Sequence, residues 1–435
     1  MKKLGAILLA GVFGFLLVGC GSTSGGLDSL PEYDEEHTFL VGGWDTPPLN
    51  DNSFRVASEM GLNFMYYGYE QYNNIKNYLE KYDLQVMLHA RERMDWIENF
   101  NNKNAFLSDP NVLAINYWDE PSFSELDTLK EFALYHRENL TPEYNVDFFA
   151  NLYPSYADAS AIEESYEDYV EKYMEIMSSA QGETWASVDI YPLKLDPLTG
   201  SSVSVDWLTN LETVANAAKE YGIDQFHVYI QTTRHYNYRE VTEDDLRYQM
   251  WVSMAYGATS ATYFTYAESP LEDFGTALVD ENGNPNPLYY GAQKVTQEIH
   301  AIDDVYLSFD WEGVYAVTGT ENTDVNSSGV SNHMKGLKTP LAALNGIKSV
   351  SSSLDALIGQ FSDKDGNNGF VVTNFADPYF GEESKNTVTL NFEKANRAII
   401  CRRGEVKTYQ VKDNRLDIEL DEGEGVFVIP VLLNK

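Results

Sequence analysis

Short apolar runs recur through the first two thirds of the chain, and each is followed by a stretch in which polar residues return with helical spacing. The runs occupy residues 38–44, 62–69, 84–91, 112–120, 146–154, 185–192, 225–231 and 261–267. They are apolar at nearly every position, which is typical of strands buried on both faces of a parallel sheet. The pattern therefore predicts eight parallel strands.

Amphipathic segments fill the intervals between these runs. The clearest of them are 124–139, 165–180, 205–222, 242–257 and 287–302. The third ends at Gly222, as helices often end at glycine. Eight strands that alternate with helices over about 270 residues predict a (β/α)8 TIM barrel, which we place at residues 38–308.

A doubly wound open sheet is the alternative arrangement of the same elements. Its nucleotide-binding form carries a glycine-rich phosphate loop directly after the first strand. The sequence at that place is VGGWDTPP, residues 41–48, which lacks the required glycine spacing. The barrel is therefore the favoured prediction.

The pattern changes after residue 308. Helical spacing fades, and short alternating runs such as GFVVTNF and NTVTLNF follow one another between Gly, Asn and Asp residues. Such runs are typical of antiparallel strands. We predict an antiparallel β-sandwich domain over residues 309–435, packed on the barrel.

The first twenty residues have the features of an export signal. Lys2 and Lys3 precede an apolar stretch that ends in LVGC at 17–20 and is too short for an ordinary membrane span. The Leu-x-Gly-Cys ending resembles the lipobox of bacterial lipoproteins, which implies cleavage before Cys20 and a diacylglycerol on its sulfur. A plain secretory signal with a chance cysteine is the alternative. Residues 21–37 are small and then acidic, which predicts a flexible linker between a membrane anchor and a folded body outside the cytoplasm.

Charge and cysteine content narrow the class of partner. The 435-residue chain has a formal net charge of −37, which argues against nucleic acid because phosphate binding needs clustered Lys and Arg. The other cysteine is Cys401, so the mature chain can form no intramolecular disulfide. The His and Cys spacings match no metal-site motif. We therefore predict no metal, no other cofactor and a membrane contact through the lipid alone.

Candidate chemistry gathers at the predicted strand ends, which is where barrels of this type carry their active sites. The residues at these ends are Trp44, Tyr69, His89, Arg91, Trp118, Asp119, Glu120, Asn151, Tyr153, Asp189, Tyr191, Tyr229, Gln231, Tyr266 and Glu268. Sugars have apolar C–H faces that stack on aromatic rings, and hydroxyls that need amide or carboxylate partners. The set therefore suits a carbohydrate.

Asp119 and Glu120 stand out because two adjacent carboxylates follow a buried run and precede Pro121. A neighbouring anion and an aromatic wall both raise the pKa of a carboxyl group, and an acid that stays protonated near neutral pH can protonate a leaving oxygen. Adjacent side chains on a regular strand point to opposite faces. Both carboxylates can reach one site only if the strand ends or bulges there.

The motif NYWDEP, residues 116–121, resembles the Asn-Glu-Pro motif of clan A glycoside hydrolases. The resemblance implies a general acid/base role for Glu120 and puts Asp119 in the place of the Asn that contacts the 2-substituent of the sugar. The Asp-Glu-Pro form also resembles glycoside hydrolase family 123, which implies substrate-assisted cleavage of N-acetylhexosaminides. Later segments, including ANLYP and SVDIYP, look like family 42-type β-galactosidase barrels.

The sequence departs from the clan pattern at the seventh strand. Retaining members have a nucleophilic Glu there, whereas HVYIQTT places Gln231 at that position, and an amide cannot be the nucleophile. Asp119 could instead orient a substrate acetamido group that attacks, Asp189 could be the second carboxylate, or Glu240 or Glu268 could reach in. We favour Asp119 first and Asp189 second.

Each candidate also has a purely structural interpretation. Asp-Glu-Pro is compatible with a strand-to-helix turn, His89 and Arg91 with salt bridges to Asp119, and strand-end aromatics with the core. The basic group Arg234, His235 and Arg239 would suit a uronate or sulfate, or would pair with surface acids. The sequence thus supports a cell-surface glycoside hydrolase acting on an extracellular oligo- or polysaccharide, with a non-catalytic glycan-binding lipoprotein as the alternative.

Overall fold

The protein folds into a parallel barrel followed by antiparallel sheets. The structure, a computed structural model, describes residues 27–90, 106–141, 143–180, 184–196, 200–269, 274–322, 333 and 336–434. Cys20, Arg91 and the predicted export signal lie outside these ranges. Within them, no helix is both long enough and apolar enough to cross a bilayer.

Eight parallel strands form the barrel, and two further strands form a hairpin between the sixth and the seventh. The barrel strands are β1 (Leu40–Gly43), β2 (Phe64–Gly68), β3 (Gln85–His89), β4 (Val112–Asp119), β5 (Asp147–Asn151), β6 (Trp185–Val188), β9 (Gln225–Gln231) and β10 (Ser260–Phe264), and the hairpin is β7 (Leu193–Asp196) with β8 (Gly200–Val203). Their order in the sheet is β5-β4-β3-β2-β1-β10-β9-β6. The sheet closes where the Leu152 amide donates to the Ser187 carbonyl over 3.0 Å, beside β5 and β6. The predicted TIM barrel is confirmed.

Helices cover the outside of the barrel. They are α1 (Asp51–Met60), α2 (Tyr72–Tyr82), α3 (Leu126–Asn139), α4 (Ala159–Ile162), α5 (Tyr166–Ser179), α6 (Trp207–Tyr221), α7 (Glu243–Ala255), α8 (Pro287–His300) and α9 (Asp303–Tyr306). Local sequence fixes several ends: Thr242 and Asp245 form a capping box at the start of α7, and Gly222 ends α6 in the left-handed conformation.

Two antiparallel sheets form the C-terminal domain. One has the order β11 (Phe309–Val317), β13 (Ala356–Asp363), β14 (Asn368–Asn374), β19 (Gly425–Val431), β16 (Arg397–Arg402) and β17 (Glu405–Gln410). The other has the order β12 (Ile347–Ser352), β15 (Asn386–Phe392) and β18 (Arg415–Leu420). An apolar cluster that includes Ile358, Phe370, Leu390 and Ile418 is buried between them, so the predicted β-sandwich is also confirmed.

Helix α7 lies between the barrel and the sandwich and is buried from Asp245 to Ala255. Glycines let the sheet approach it closely: a Cβ at Gly359 would lie 2.3 Å from the Ala255 carbonyl oxygen, and one at Gly425 would lie 2.5 Å from the Trp251 ring. The domains therefore share a tightly packed interface.

The segment 27–37, predicted as part of the linker, packs against the folded body. Leu27 pairs with Leu433 in a parallel bridge, the Tyr33 hydroxyl donates to Asp363 over 3.1 Å, and the His37 amide donates to Asp304 over 2.7 Å. These contacts lie at the end of the barrel where β1 begins. Tyr33 also packs its ring on Phe309 at 5.2 Å, an aromatic contact that a composition-based linker prediction overlooks.

Candidate active site

A cavity of about 400 Å³ opens at the carboxyl ends of the barrel strands. Three carboxylates lie in it together with an amide and aromatic rings. Its lining residues are Trp44, Asp119, Glu120, Asn151, Pro154, Tyr156, Asp189, Tyr191, Tyr229, His235, Tyr236, Tyr238, Phe264 and Phe274. This is the end of the barrel that the sequence predicted for the chemistry.

A bulge near the end of β4 brings both adjacent carboxylates to the cavity. Asn116 pairs with Phe149, but Trp118 pairs with Ala150, so one residue of β4 is extra. The shift puts Asp119 opposite Asn151 and turns it to the inner face, where regular alternation would have placed Trp118. Glu120 follows with a left-handed backbone, φ 56°, and its amide donates to the Asn151 carbonyl over 2.9 Å.

The Asn151 side chain connects two of the carboxylates. Its Nδ2 donates to Asp119 Oδ1 over 3.3 Å and to Asp189 Oδ1 over 3.0 Å. The Ser187 hydroxyl donates to Asn151 Oδ1 over 2.8 Å, which fixes which way the amide faces. Strands β4, β5 and β6 thus hold Asp119, Asn151 and Asp189 in one hydrogen-bonded row.

The carboxyl groups of Glu120 and Asp189 lie close enough for each to affect the pKa of the other. Burial, and next the charge of Asp119, raise the pKa of Glu120 to about 7. Burial, and next the charge of Glu120, raise the pKa of Asp189 well above its ordinary value, although the Asn151 amide opposes this. The site can therefore hold a proton on a carboxyl group at neutral pH.

Aromatic rings form one wall around the carboxylates. Trp44 contacts Tyr66 with ring centroids 4.6 Å apart and Tyr229 with centroids 5.8 Å apart. The Tyr66 and Tyr229 hydroxyls lie 3.3 Å apart inside the barrel. Trp44 and Tyr229 were predicted site residues, and the cavity contains both.

His235 is a cavity residue that the sequence analysis considered only as part of a basic patch. It is 3 % exposed, and burial lowers its pKa, so the ring is neutral. Its Nδ1 lies 3.1 Å from the Thr233 carbonyl oxygen. Because a carbonyl oxygen can only accept, Nδ1 carries the proton and Nε2 is left as an acceptor.

The two arginines of that patch are ion-paired and lie outside the cavity lining. Arg239 is buried and donates to Asp245 over 2.6 Å and to Asp377 over 2.7 Å, which joins the barrel to the sandwich. Arg234 lies at the surface and donates to Glu240 over 3.1 Å. Glu240, which was considered as a second carboxylate, is occupied in that exposed pair.

Several other predicted residues serve the core or the loops. Trp118 packs on Phe132 of α3, outside the barrel, because of the β4 bulge. Gln231 is buried, and its Nε2 donates to the carbonyls of Leu193 and Arg239. Tyr266 is fully buried beside Gly43.

The remaining predicted residues are not among those that line the cavity. His89 contacts Trp44 with ring centroids 6.4 Å apart, and Tyr153 is close enough for the charge of Glu120 to raise its pKa, after the effect of burial. Tyr69 lies in a 3-10 turn after β2, and Glu268 accepts from Asn286 over 3.0 Å. Arg91 lies outside the described residues.

The cavity also contains residues that the sequence analysis did not select, namely Pro154, Tyr156, Tyr236, Tyr238, Phe264 and Phe274. Tyr236 and Tyr238 follow β9 in the loop 232–242, and Phe274 follows β10. Their position after barrel strands was the available signal, but the sequence prediction considered only residues at the strand ends. Across the part of the chain that the structure describes, no group of three or more His, Cys, Asp and Glu side chains is arranged to hold a metal ion.

Comparison with known proteins identifies the fold. No protein-family model matches the chain, and no curated protein sequence matches it. A catalytic mutant of Gan42B, a GH42 β-galactosidase from G. stearothermophilus, superposes with a TM-score of 0.52 at 10% identity, covering 92% of this chain and 100% of that chain. A β-galactosidase from Bacillus circulans sp. alkalophilus gives 0.50 at 9% identity, covering 90% and 99%.

A third structure, β-galactosidase from the psychrophilic Marinomonas ef1, has a TM-score of 0.42 at 10% identity and covers 62% of each chain, which is too distant to carry an argument. The first two similarities, at identities near a tenth, concern the backbone. They show that this chain has the barrel-plus-sheet fold that those two β-galactosidases share.

Proposed function

We propose that this protein is a glycoside hydrolase with Glu120 as its general acid/base. One observation carries the proposal: a carboxyl group with a pKa near 7 lies in an aromatic-lined cavity at the carboxyl ends of a (β/α)8 barrel. A glycosidic oxygen must receive a proton as it leaves, and an acid poised near the working pH supplies it. The similarity in fold to two β-galactosidases is consistent with this chemistry.

The position of Asp189 favours substrate assistance over a second protein nucleophile. Carboxyl groups of retaining pairs lie about 5–5.5 Å apart and those of inverting pairs about 6.5–9.5 Å apart. Asp189 is held by Asn151 in the same row as Asp119 and is close enough to Glu120 for each carboxyl group to affect the pKa of the other. We therefore infer that Asp189 shares a proton with Glu120 and does not attack from the opposite face of a sugar.

In the proposed reaction, Glu120 protonates the leaving oxygen while the carbonyl oxygen of a 2-acetamido group on the substrate bonds to the anomeric carbon. Asp119, in the row held by Asn151, accepts a hydrogen bond from the acetamido N–H and stabilises the positive charge that develops there. Water then attacks the anomeric carbon, the Glu120 carboxylate takes a proton from it, and the cyclic intermediate reopens. The substrate class is an extracellular oligo- or polysaccharide containing N-acetylated hexoses.

Leaving-group dependence tests the role of Glu120. The substrates are aryl N-acetylhexosaminides, one with a 2,4-dinitrophenyl group that leaves without protonation and one with a phenyl group that needs it. We expect Glu120→Gln to lose activity on the phenyl glycoside by a factor of about 100 or more, and to lose much less on the dinitrophenyl glycoside. Glu268→Gln, a carboxylate outside the cavity, is the matched control and should behave like the wild type. Equal loss on both substrates, or none on either, would remove Glu120 as the acid.

A non-catalytic glycan-binding function is the second candidate. It is favoured by the contact between Glu120 and Asp189, which leaves no carboxylate across the cavity from Glu120 among the described lining residues. Binding without turnover by the wild-type protein, over a panel of N-acetylated and neutral aryl glycosides, would support it. Turnover of any of them supports the hydrolase.

We further propose that the protein is exported and held at a membrane by a lipid on Cys20, with the cavity turned away from the bilayer. Leu27 pairs with Leu433, and Tyr33 contacts Asp363 of the sandwich. His37, which contacts Asp304, lies just before β1, at the end of the barrel opposite the cavity. Incorporation of labelled palmitate into the wild type, and its absence from Cys20→Ser, tests the anchor. A wild-type protein that takes up no label would refute it.

A further inference from the structure

The loop after β9 displays an aromatic ring at the mouth of the cavity. Tyr236 in this loop is 84 % exposed, yet it lines the cavity. Its backbone is left-handed, φ 45°, a conformation that residues other than glycine adopt infrequently and at some energetic cost. Such an exposed ring in a disfavoured backbone calls for an explanation other than the stability of the fold.

A continuous series of rings links Tyr236 to the interior. Tyr236 contacts Phe274 at 6.3 Å between centroids and His235 at 5.9 Å. His235 in turn contacts Tyr191 at 5.2 Å, and Tyr191 lies in the cavity close enough to Asp189 for that charge to raise its pKa, after burial. The wall therefore runs from the rim down to the carboxylates.

Hydrogen bonds and a salt bridge hold in place the loop that carries His235 and Tyr236. The side-chain amide of Gln231 donates to the Arg239 carbonyl over 3.1 Å. The Arg239 guanidinium forms a bidentate salt bridge with the Asp245 carboxylate, with N–O distances of 2.6 and 2.7 Å. The Tyr238 hydroxyl donates to Tyr156 over 3.2 Å. A rim held in this way presents its rings without first having to order them.

The wall also offers a polar group among its rings. Since His235 Nδ1 donates to the Thr233 carbonyl, Nε2 is the acceptor of a neutral ring that lines the cavity. A sugar hydroxyl is a donor that matches it, whereas an anionic substituent is not. The wall thus combines faces for C–H stacking with one acceptor, the combination that pyranose rings need.

We propose that Tyr236, Phe274 and His235 form a second saccharide-binding subsite, which holds the sugar unit next to the one at the carboxylates. The inference rests on the proposed glycoside hydrolase function and deepens it, because it makes the preferred substrate an oligosaccharide and not a single glycoside. Stacking on Tyr236 requires the ring face and not the hydroxyl.

Binding measured by calorimetry on Glu120→Gln protein tests the subsite without turnover. The probes are monosaccharides and the matching trisaccharides of N-acetylglucosamine, N-acetylgalactosamine and galactose. Adding Tyr236→Ala should weaken binding of the recognised trisaccharide about tenfold and leave the monosaccharide unchanged. Tyr236→Phe in the same protein should keep the affinity of the Glu120→Gln protein for the monosaccharide and for the trisaccharide. Tyr290→Ala, which removes a tyrosine that is 61 % exposed on α8, is the matched control.

The outcomes separate the two proposals. If some saccharide binds and Tyr236→Ala weakens the monosaccharide and the trisaccharide alike, or neither, the subsite is refuted while the proposed function stands. If Glu120→Gln binds none of the six probes while the folded state is intact by circular dichroism, both proposals fail. Loss confined to the trisaccharide supports both.

Discussion

The carboxyl groups of Glu120 and Asp189 lie beside each other in the cavity, close enough for each to affect the pKa of the other. Two carboxylates at such a short separation repel each other, which favours a proton on one member of the pair. Asp119, adjacent in sequence, adds a negative charge that raises the pKa of both. The strand end thus holds a proton at pH values where an exposed carboxyl group has lost it.

The first prediction concerns the pH dependence of activity. Because Glu120 must be protonated to act as an acid and its pKa is raised to about 7, kcat/KM for an unactivated aryl glycoside should fall as pH rises through about 7. A 2,4-dinitrophenyl glycoside should show a weaker fall or none. Profiles from pH 4 to 9 check this, and a fall centred near pH 4.5 for the unactivated substrate would contradict it.

The second prediction concerns stability. Glu120 binds its proton more tightly in the folded state than in the unfolded chain, where its pKa is near 4.5. Between these values the folded state holds more protons, so the free energy of unfolding should decrease as pH rises from about 4.5 to 7. Glu120→Gln removes this term and should stabilise the protein at pH 8 by about 2 to 3 kcal/mol. Urea unfolding at pH 5 and pH 8 measures both effects; a variant less stable than the wild type at pH 8 would count against the assignment.

The third prediction concerns Asn151, which donates to Asp119 and Asp189. Asn151→Leu removes a contact that lowers the pKa of Asp189, whose carboxyl group interacts with that of Glu120, so the fall of kcat/KM with rising pH should move to higher pH. The Ser187 hydroxyl also loses its acceptor, and we expect destabilisation of about 1–3 kcal/mol. Asn216→Leu removes an exposed hydrogen bond to Thr339 and is the control. An unchanged pH dependence would show that the amide does not tune the pair.

The fourth prediction concerns Gln231, which the sequence resemblance puts at the place of the clan A nucleophile. Its amide donates to the Leu193 and Arg239 carbonyls in a buried site outside the cavity lining. Gln231→Glu would set a carboxylate against these oxygens and should destabilise the fold by about 1–3 kcal/mol without restoring a nucleophile. Thermal unfolding and a mass-spectrometric search for a covalent glycosyl-enzyme check both parts. A trapped intermediate on residue 231 would overturn this placement.

The fifth prediction concerns the ion pair between the domains. Arg239 and Asp377 are both 3 % exposed at their side chains and 2.7 Å apart. Asp377→Ala leaves a buried arginine with one of its two carboxylates and should cost about 3–5 kcal/mol. Glu240→Ala, which breaks the exposed pair with Arg234, should cost less than about 1 kcal/mol. Similar decreases in the free energy of unfolding in the two variants would show that the buried pair contributes no more to stability than the exposed pair.

The chain's pattern of apolar runs was enough to predict the architecture and the end of the barrel at which the candidate residues gather. Apolar runs that recur with helical segments between them indicate buried parallel strands. A strand in such a sheet is covered on both of its faces, so nearly all of its residues are apolar. Closure of the barrel then brings the carboxyl ends of all eight strands together at one end of the barrel. For that reason Trp44, Asp119, Glu120, Asn151, Asp189, Tyr191 and Tyr229 could be selected by their place in the pattern alone, and the cavity contains all of them.

The orientation of the strand-end side chains and the proximity of the carboxyl groups in the cavity depend on the tertiary structure. A single extra residue in β4 reverses the alternation, so that Trp118 turns outward and Asp119 inward, and no local pattern marks that bulge. The contact between Glu120 and Asp189, which joins strands about 70 residues apart in sequence, depends on barrel closure. The loop with His235 and Tyr236 takes its place from the Arg239 ion pairs, one of which reaches a carboxylate in the other domain. Orientation and proximity of this kind follow from packing in three dimensions, which is why they could not be read along the chain.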